Sequence, residues 1–320
     1  VAAVGNNGVD GAGVAYNATI LPIKITLGSD TSGTSTDVAI AQAITYAADH
    51  GAKVVNVSFG SDTSCDSQTM INAANYMISK GGLVVQAAGN TPINKGCSAN
   101  PSIIEVSATD QNDALATFSN FGNEVAVSAP GVGIVTTNCN TCSLGPGLGD
   151  MAVYDGTSFA SPVTAGVVAM IYSIDPNFTS AQAQQILFGS VDDLGPAGYD
   201  IDFGWGRVNA AKAVTLAQQT LAGIPPPPPA LGPVYAFPNP WDTRKESQRQ
   251  VTFVNIPTGA TLKIFTLSGF WVKSLMESSN RCIWDLTNDD GRLIASGLYL
   301  YSVSGGNTGS TMTGKIAVIR

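Results

Sequence analysis

Between residues 37 and 87 the chain reads DVAIAQAITYAAD (37–49), KVVNVSF (53–59), QTMINAANYMISK (68–80) and LVVQA (83–87), with short polar or glycine-rich breaks between the blocks. The spacing of apolar residues predicts helices over Asp37–Asp49 and Gln68–Lys80, and strands over Lys53–Phe59 and Leu83–Ala87. The strands are nearly continuous in Val rather than alternating, so both of their faces are expected to be buried, as in a parallel sheet with crossover helices. Outward from this core, Thr19–Thr26, Ile103–Ser107 and Val125–Val127 predict further strands. The expected fold class is α/β, a parallel sheet with helices on both faces.

Beyond residue 224 the pattern changes. Five consecutive prolines, Pro225–Pro229, predict an extended spacer. After them the apolar residues alternate: Leu262 and Ile264 share one face of Thr261–Leu267, and Ile316 and Val318 one face of Lys315–Ile319. Asn288-Asp289-Asp290-Gly291 is a tight-turn signal, and Ser296-Gly297 breaks the chain before Leu298–Val303. About seven short strands in this region suggest a small all-β sandwich. The expected organisation is a first domain over 1–217, a linker over 218–233 and a second domain over 234–320.

At 320 residues the chain is long enough for such a pair. Fifteen Lys and Arg against 23 Asp and Glu leave a net charge of −8, which argues against a nucleic-acid footprint. The charge is uneven: residues 1–224 hold six basic and 17 acidic side chains, for −11, and residues 225–320 hold nine and six, for +3. Charged residues are 12% of the chain and apolar ones 44%, a composition for a packed core rather than a disordered chain. No apolar run reaches the ~18 residues needed to cross a membrane. The chain opens at Val1 in an apolar stretch without a charged leader, so no targeting segment is expected within it.

Gly156-Thr157-Ser158-Phe159-Ala160-Ser161-Pro162 precedes Val163–Ile171, which is apolar nearly all round and predicts a buried central helix. Pro162 is expected near its first turn, which puts Ser158 at the helix N-terminus, where unpaired amides and the positive dipole end favour a developing oxyanion. Taken alone, the same pattern describes an ordinary capping serine. The flanking sequence separates the two readings. Val54-Val55-Asn56-Val57-Ser58-Phe59-Gly60, Ala87-Ala88-Gly89-Asn90, Thr117–Gly122 with Ala129-Pro130-Gly131, the Ser158 segment, and Gly204-Trp205-Gly206-Arg207-Val208-Asn209-Ala210 stand in the order of five motifs of the subtilisin-like serine peptidases. Residues 1 to about 217 resemble that family.

The resemblance implies a secreted endopeptidase that hydrolyses peptide bonds through an acyl-enzyme on Ser158, with Asn90 as an oxyanion-hole donor. It also implies an extended polypeptide substrate pairing with Ser58, Phe59 and Gly60, and a pocket walled by Ala87, Ala88 and Gly89 with an apolar or aromatic preference. Phe59 reads equally as a core residue. The family's general base is a His oriented by an Asp. The only histidine, His50, falls where the family has a helix end, so the catalytic Asp and His are expected upstream of Val1 and this chain alone is expected to be inactive. The alternative is a non-catalytic peptide-binding or surface protein that keeps the fold.

No cofactor is required for such chemistry. A structural calcium site is suggested by Gly5–Gly13, with Asn7 and the carbonyls of Gly5, Val9 and Gly11 as ligands; the same stretch also reads as a simple Gly/Asn turn. Cys139 and Cys142 lack a second ligand pair and read as a local disulfide rather than a zinc site. Cys65 and Cys97 enclose a helix and a strand and form a second candidate bridge, leaving Cys282 a buried thiol. The tail resembles Ig-like modules of the flagellar hook-capping protein and of exported bacterial enzymes, through Phe237-Pro238-Asn239-Pro240, Ile264–Gly269, Trp284-Asp285, Asn288–Gly291, Ala295–Tyr299 and Gly314-Lys315-Ile316. That likeness implies bacterial-type export to the medium or cell surface, with the secretion machinery or the surface as partner; a purely structural tail is the plainer reading.

Overall fold

The computed structural model describes residues 1–8, 11–26, 35–59, 62–137, 151–223, 234–245, 249–257, 259–278, 281–305 and 312–320. The chain divides into two compact units, Val1–Gly195 with Asp200–Pro229, and Pro196–Tyr199 with Ala230–Arg320. The proline run lies outside the described residues, as do Val9, Gly60, Cys139 and Cys142.

In the first unit the order is α1 (Asp37–Asp49), β1 (Val54–Val57), α2 (Gln68–Ser79), β2 (Leu83–Ala87), β3 (Ile103–Thr109), β4 (Val125–Pro130), β5 (Ile134–Thr137), β6 (Met151–Tyr154), α3 (Thr157–Ile174), α4 (Ser180–Gly189) and α5 (Ala210–Leu221). Strands β1-β2-β3-β4 pair in parallel, in chain order. Helix α1 starts where Thr36 Oγ1 accepts from the Ala39 amide, and α2 where Ser67 Oγ accepts from the Met70 amide, each satisfying an orphan donor of the first turn. Their apolar stripes (Ile40 and Ile44 on α1, Met70 and Met77 on α2) pack with Val57, Val84 and Ile103 on one face of the sheet.

Helix α3 covers the other face, packing on all four strands and against α4 and α5. At 18 residues and mean hydropathy 1.4 it is long and apolar enough to cross a membrane by length and composition, a length the sequence reading credited to no run. Here Ala160, Val168 and Ile171 are fully buried against the sheet layer. The strand expected over Thr19–Thr26 is not formed. That segment pairs with no strand among the described residues, Ile20 is 64% exposed, and Pro22 has no amide hydrogen to donate to a ladder.

The second unit is all-β: β7 (Tyr235–Phe237), β8 (Trp241–Asp242), β9 (Val251–Val254), β10 (Ala260–Thr266), β11 (Trp271–Met276), β12 (Arg281–Trp284), β13 (Gly297–Gly305) and β14 (Met312–Ile319). A five-stranded sheet, β11-β10-β13-β14-β8, and a three-stranded one, β12-β9-β7, share one core. Phe253 and Trp284 from the smaller sheet meet Tyr301 and Tyr299 from the larger edge-on. The indole of Trp284 is fully buried and donates to the Thr287 carbonyl at 2.8 Å, so its one polar atom is satisfied.

Candidate active site

In a parallel sheet the residues that follow each strand collect at one end, and that end is where function concentrates in α/β folds. Ser58 follows β1, Ala88-Gly89-Asn90 follow β2, and α3 begins beside them. The N-cap of α3 is Gly156, with φ 149° and ψ 153°, a backbone setting that side chains rarely adopt. Thr157 and Ser158 are the first two helical residues, so their amides are among those a helix leaves unpaired.

Pro162 sits in the second turn of α3, not the first as its sequence suggested. Without an N–H it leaves the Ser158 carbonyl, four residues back, with no helical partner. Ser58 Oγ donates to that carbonyl at 2.8 Å. Ser58 Oγ accepts in turn from Asn56 Nδ2 at 2.9 Å, and Asn56 Oδ1 accepts from Ser161 Oγ at 2.8 Å. This relay stitches the end of β1 to the first turns of α3. The Ser158 hydroxyl donates back to the Ser58 carbonyl across a long 3.3 Å, so Ser158 is half-buried and loosely tethered.

Asn90 is held from the other side. Its Oδ1 accepts from the Thr157 amide at 2.8 Å and from Thr157 Oγ1 at 3.0 Å, and its own amide donates to Asp62 Oδ1 at 2.7 Å. With the oxygen occupied twice, Nδ2 has no partner among the described residues, and neither does the Ser158 amide. The Asn90 carboxamide is thereby anchored on Thr157, the residue next to Ser158 in the chain. Behind Asn90, the fully buried Asn120 donates through Nδ2 to the carbonyls of Asp62 (2.7 Å) and Ala88 (3.0 Å) and accepts from the Thr91 amide at 2.9 Å. Gly89 has φ 112°, and a Cβ there would run into Asn120 Nδ2 and lie 2.8 Å from Asp62 Oδ1. Only glycine fits this close approach. The bridge expected between Cys65 and Cys97 is formed, joining the loop that carries Asp62 to the loop that follows Asn90.

One buried carboxylate of the sheet stands out electrostatically. Glu105 pairs in register with Gln86 and is almost fully buried. Burial pushes its carboxyl up to about 8, against the pull of Lys95 Nζ 3.3 Å away. At the far edge of the sheet, the Gly204–Val208 segment runs beside β4, with the Trp205 amide donating to the Ala126 carbonyl at 2.9 Å and the Val208 amide to that of Ser128 at 2.9 Å. Arg207 there pairs with Asp113 and, at 2.8 Å, with Asp192.

Of the residues singled out in the sequence, Ser58, Phe59, Ala87, Ala88, Gly89, Asn90 and Ser158 gather at this one end; Gly60 lies outside the described residues. His50 does not join them. It caps α1 before β1 begins, stacked on Tyr46 at 3.8 Å, with Nδ1 2.8 Å from the Tyr46 carbonyl. Thr157 and Asn120 stand inside quoted motifs without a role of their own, and Asp62 in none, because their roles depend on contacts between distant segments. Asn56 and Ser161 likewise carry no role in the sequence, although a polar residue inside an apolar strand and another inside an apolar helix were visible signals.

The suggested calcium loop is described only in part: Asn7 and the carbonyls of Gly5 and Gly11 lie among the described residues, and Val9 does not. No group of three His, Cys, Asp or Glu converges anywhere among the described residues. Cys282 is a buried free thiol, and burial pushes it up to about 12.

The sequence and the fold of the first unit have counterparts among known proteins. Residues 1–206 match the model of the subtilase family. An extracellular protease of Xanthomonas campestris is 40% identical over 230 residues, covering 68% of this chain and 39% of that protein. A thermophilic serine proteinase of a Bacillus species is 40% identical over 216 residues, covering 67% and 50%. The chain thus spans half or less of the length of these two relatives. Among solved structures, a protease of Pseudoalteromonas arctica superposes with a TM-score of 0.57 at 32% identity, covering 68% of each chain. With the site's geometry and a family match across most of its length, the chain belongs to the subtilase family.

Proposed function

We propose that this chain is the C-terminal part of a secreted serine endopeptidase in which Ser158 is the nucleophile. The observation that carries the reading is the Asn90 carboxamide, anchored through Oδ1 on Thr157 next to Ser158 at the start of α3, which leaves Nδ2 without a partner among the described residues. In the reaction Ser158 Oγ bonds to the scissile carbonyl carbon as a base takes the hydroxyl proton. The two donors stabilise the resulting oxyanion. Collapse then breaks the C–N bond, the base returns its proton to the leaving amine, and water hydrolyses the acyl-enzyme by the same route. The polypeptide substrate lies along Ser58, Phe59 and Gly60, the residues that follow the edge strand β1 in the sequence, with its scissile residue against Ala87, Ala88 and Gly89.

The base and its orienting carboxylate belong, in this reading, to sequence upstream of Val1. His50 at the end of α1 is too remote to serve, and no other histidine exists in the chain. The same observation favours a second reading, a peptide-binding protein that keeps the fold without catalysis. Export is supported by the Cys65–Cys97 bridge and by relatives named extracellular. The all-β unit is assigned to sorting or surface attachment as an Ig-like module, supported by its two sheets around one core. The discriminating experiment expresses the gene with its upstream coding sequence and assays a chromogenic peptide. Turnover that disappears in Ser158→Ala supports the endopeptidase. Peptide binding without turnover supports the second reading.

A further inference from the structure

Strand β2 ends at Ala87, and the last bond to its neighbour runs from the Ala88 amide to the Val106 carbonyl at 3.1 Å. Side chains hold the next three amides. Gly89 donates to Thr157 Oγ1 at 3.1 Å, Asn90 to Asp62 Oδ1 at 2.7 Å and Thr91 to Asn120 Oδ1 at 2.9 Å. Thr157 and Asn120 are buried, whereas Asp62 is exposed. Aspartate in an ordinary turn reaches the amide about two residues on. Asp62 reaches one 28 residues away, so its contact is made by the fold and not by local chain geometry.

The nitrogen that Asp62 holds is bonded to the Cα that carries the Asn90 carboxamide. Thr157 fixes the far end of that side chain through Oδ1, and Asp62 fixes its root. Asp62 is itself anchored, because Asn120 Nδ2 donates to its carbonyl at 2.7 Å and the nearby Cys65 is bridged to Cys97. Two effects of the carboxylate oppose each other. Its negative charge disfavours an oxyanion nearby, while its charge-assisted hydrogen bond keeps the donor in place. A charge screened by water changes a rate about fivefold or less. Misplacing a reacting group by about 1 Å costs about 10²-fold. Placement wins.

We propose that Asp62 is a positioning residue for the oxyanion donor, its carboxylate holding the Asn90 backbone so that Nδ2 stays in place. The inference rests on the endopeptidase reading and adds a link to it. The segment assigned to the substrate strand is tied to the site at both ends: Ser58 donates to the Ser158 carbonyl, and Asp62 accepts from Asn90.

The test uses the full gene product, with its sequence upstream of Val1, and steady-state kinetics on a chromogenic peptide. Asp62→Ala and Asp62→Asn are made alone and on an Asn90→Ala background, with thermal melting as the check on folding. Asp62→Ala is expected to lower kcat about ten- to hundredfold and to move KM by about twofold or less. Asp62→Asn keeps the acceptor and drops the charge, so its kcat is expected within about fivefold of the unmutated protein. On the Asn90→Ala background Asp62→Ala is expected to cost nothing further, since no donor is left to place; a purely structural defect would multiply with it instead. The proposal is wrong if Asp62→Ala keeps its kcat, if it does not fold, if Asn rescues no better than Ala, or if the same factor is lost without Asn90. Turnover that is absent from the unmutated protein, or that survives Ser158→Ala, overturns the endopeptidase reading and this inference with it. Turnover that needs Ser158 but is indifferent to Asp62 overturns this inference alone.

Discussion

A carboxamide serves as an oxyanion donor only when its oxygen is occupied and its nitrogen is left free. Thr157 does this for Asn90 with two hydrogen bonds to Oδ1, at 2.8 and 3.0 Å. In the full gene product, Asn90→Ala is expected to lower kcat by about 10²–10³-fold with little change in KM, a range set by subtilisin itself; steady-state kinetics on one peptide checks it. A second residue-scale expectation concerns Glu105. Burial raises its carboxyl from an ordinary 4.5 to about 8. A folded value above the unfolded one means that its stabilising contribution is complete below about pH 4.5 and is lost as the pH rises through about 8. Urea-unfolding midpoints should therefore fall between about pH 6 and pH 9, and Glu105→Gln, neutral throughout, should flatten that fall. A slope unchanged in the variant would place the pH dependence elsewhere.

At the scale of elements, helix α3 and the Cys65–Cys97 bridge hold the site together. The bridge closes a loop with a sequence separation of 32 residues, and removing it with Cys65→Ser and Cys97→Ser is expected to cost about 3–4 kcal/mol of unfolding free energy, measured by denaturant titration. Local signals made much of this level legible in the sequence. Helix α1 runs over the residues its apolar stripe predicted, because Thr36 starts it and its stripe has a sheet to pack on. Thr19–Thr26 misled because an apolar run describes a strand only if a neighbour offers its edge, and none among the described residues does. Ser158 and Asn90 stood out through their motifs. Asp62 did not, and Asn120 stood in its motif without a role, since a buried clamp is defined by what the chain brings to it from dozens of residues away. Pro162 was misplaced for a related reason: the carbonyl it leaves open is satisfied by Ser58, a hundred residues earlier in the chain.

For the whole molecule, the change in composition near residue 225 and the division of the structure into two compact units point to separate folding units. Limited proteolysis is expected to cut between about residues 217 and 233, the stretch that contains the five prolines, and to leave two resistant fragments; cuts scattered through 234–320 would contradict this. The central claim, that Ser158 is the nucleophile of an endopeptidase whose base lies upstream, is tested most directly by covalent labelling. The full gene product, with its sequence upstream of Val1, is treated with a fluorophosphonate probe, and the modified peptide is located by mass spectrometry. The account expects one label, on Ser158, abolished by Ser158→Ala and absent when the protein starts at Val1. Labelling that persists in Ser158→Ala, or lands on another serine, would contradict it.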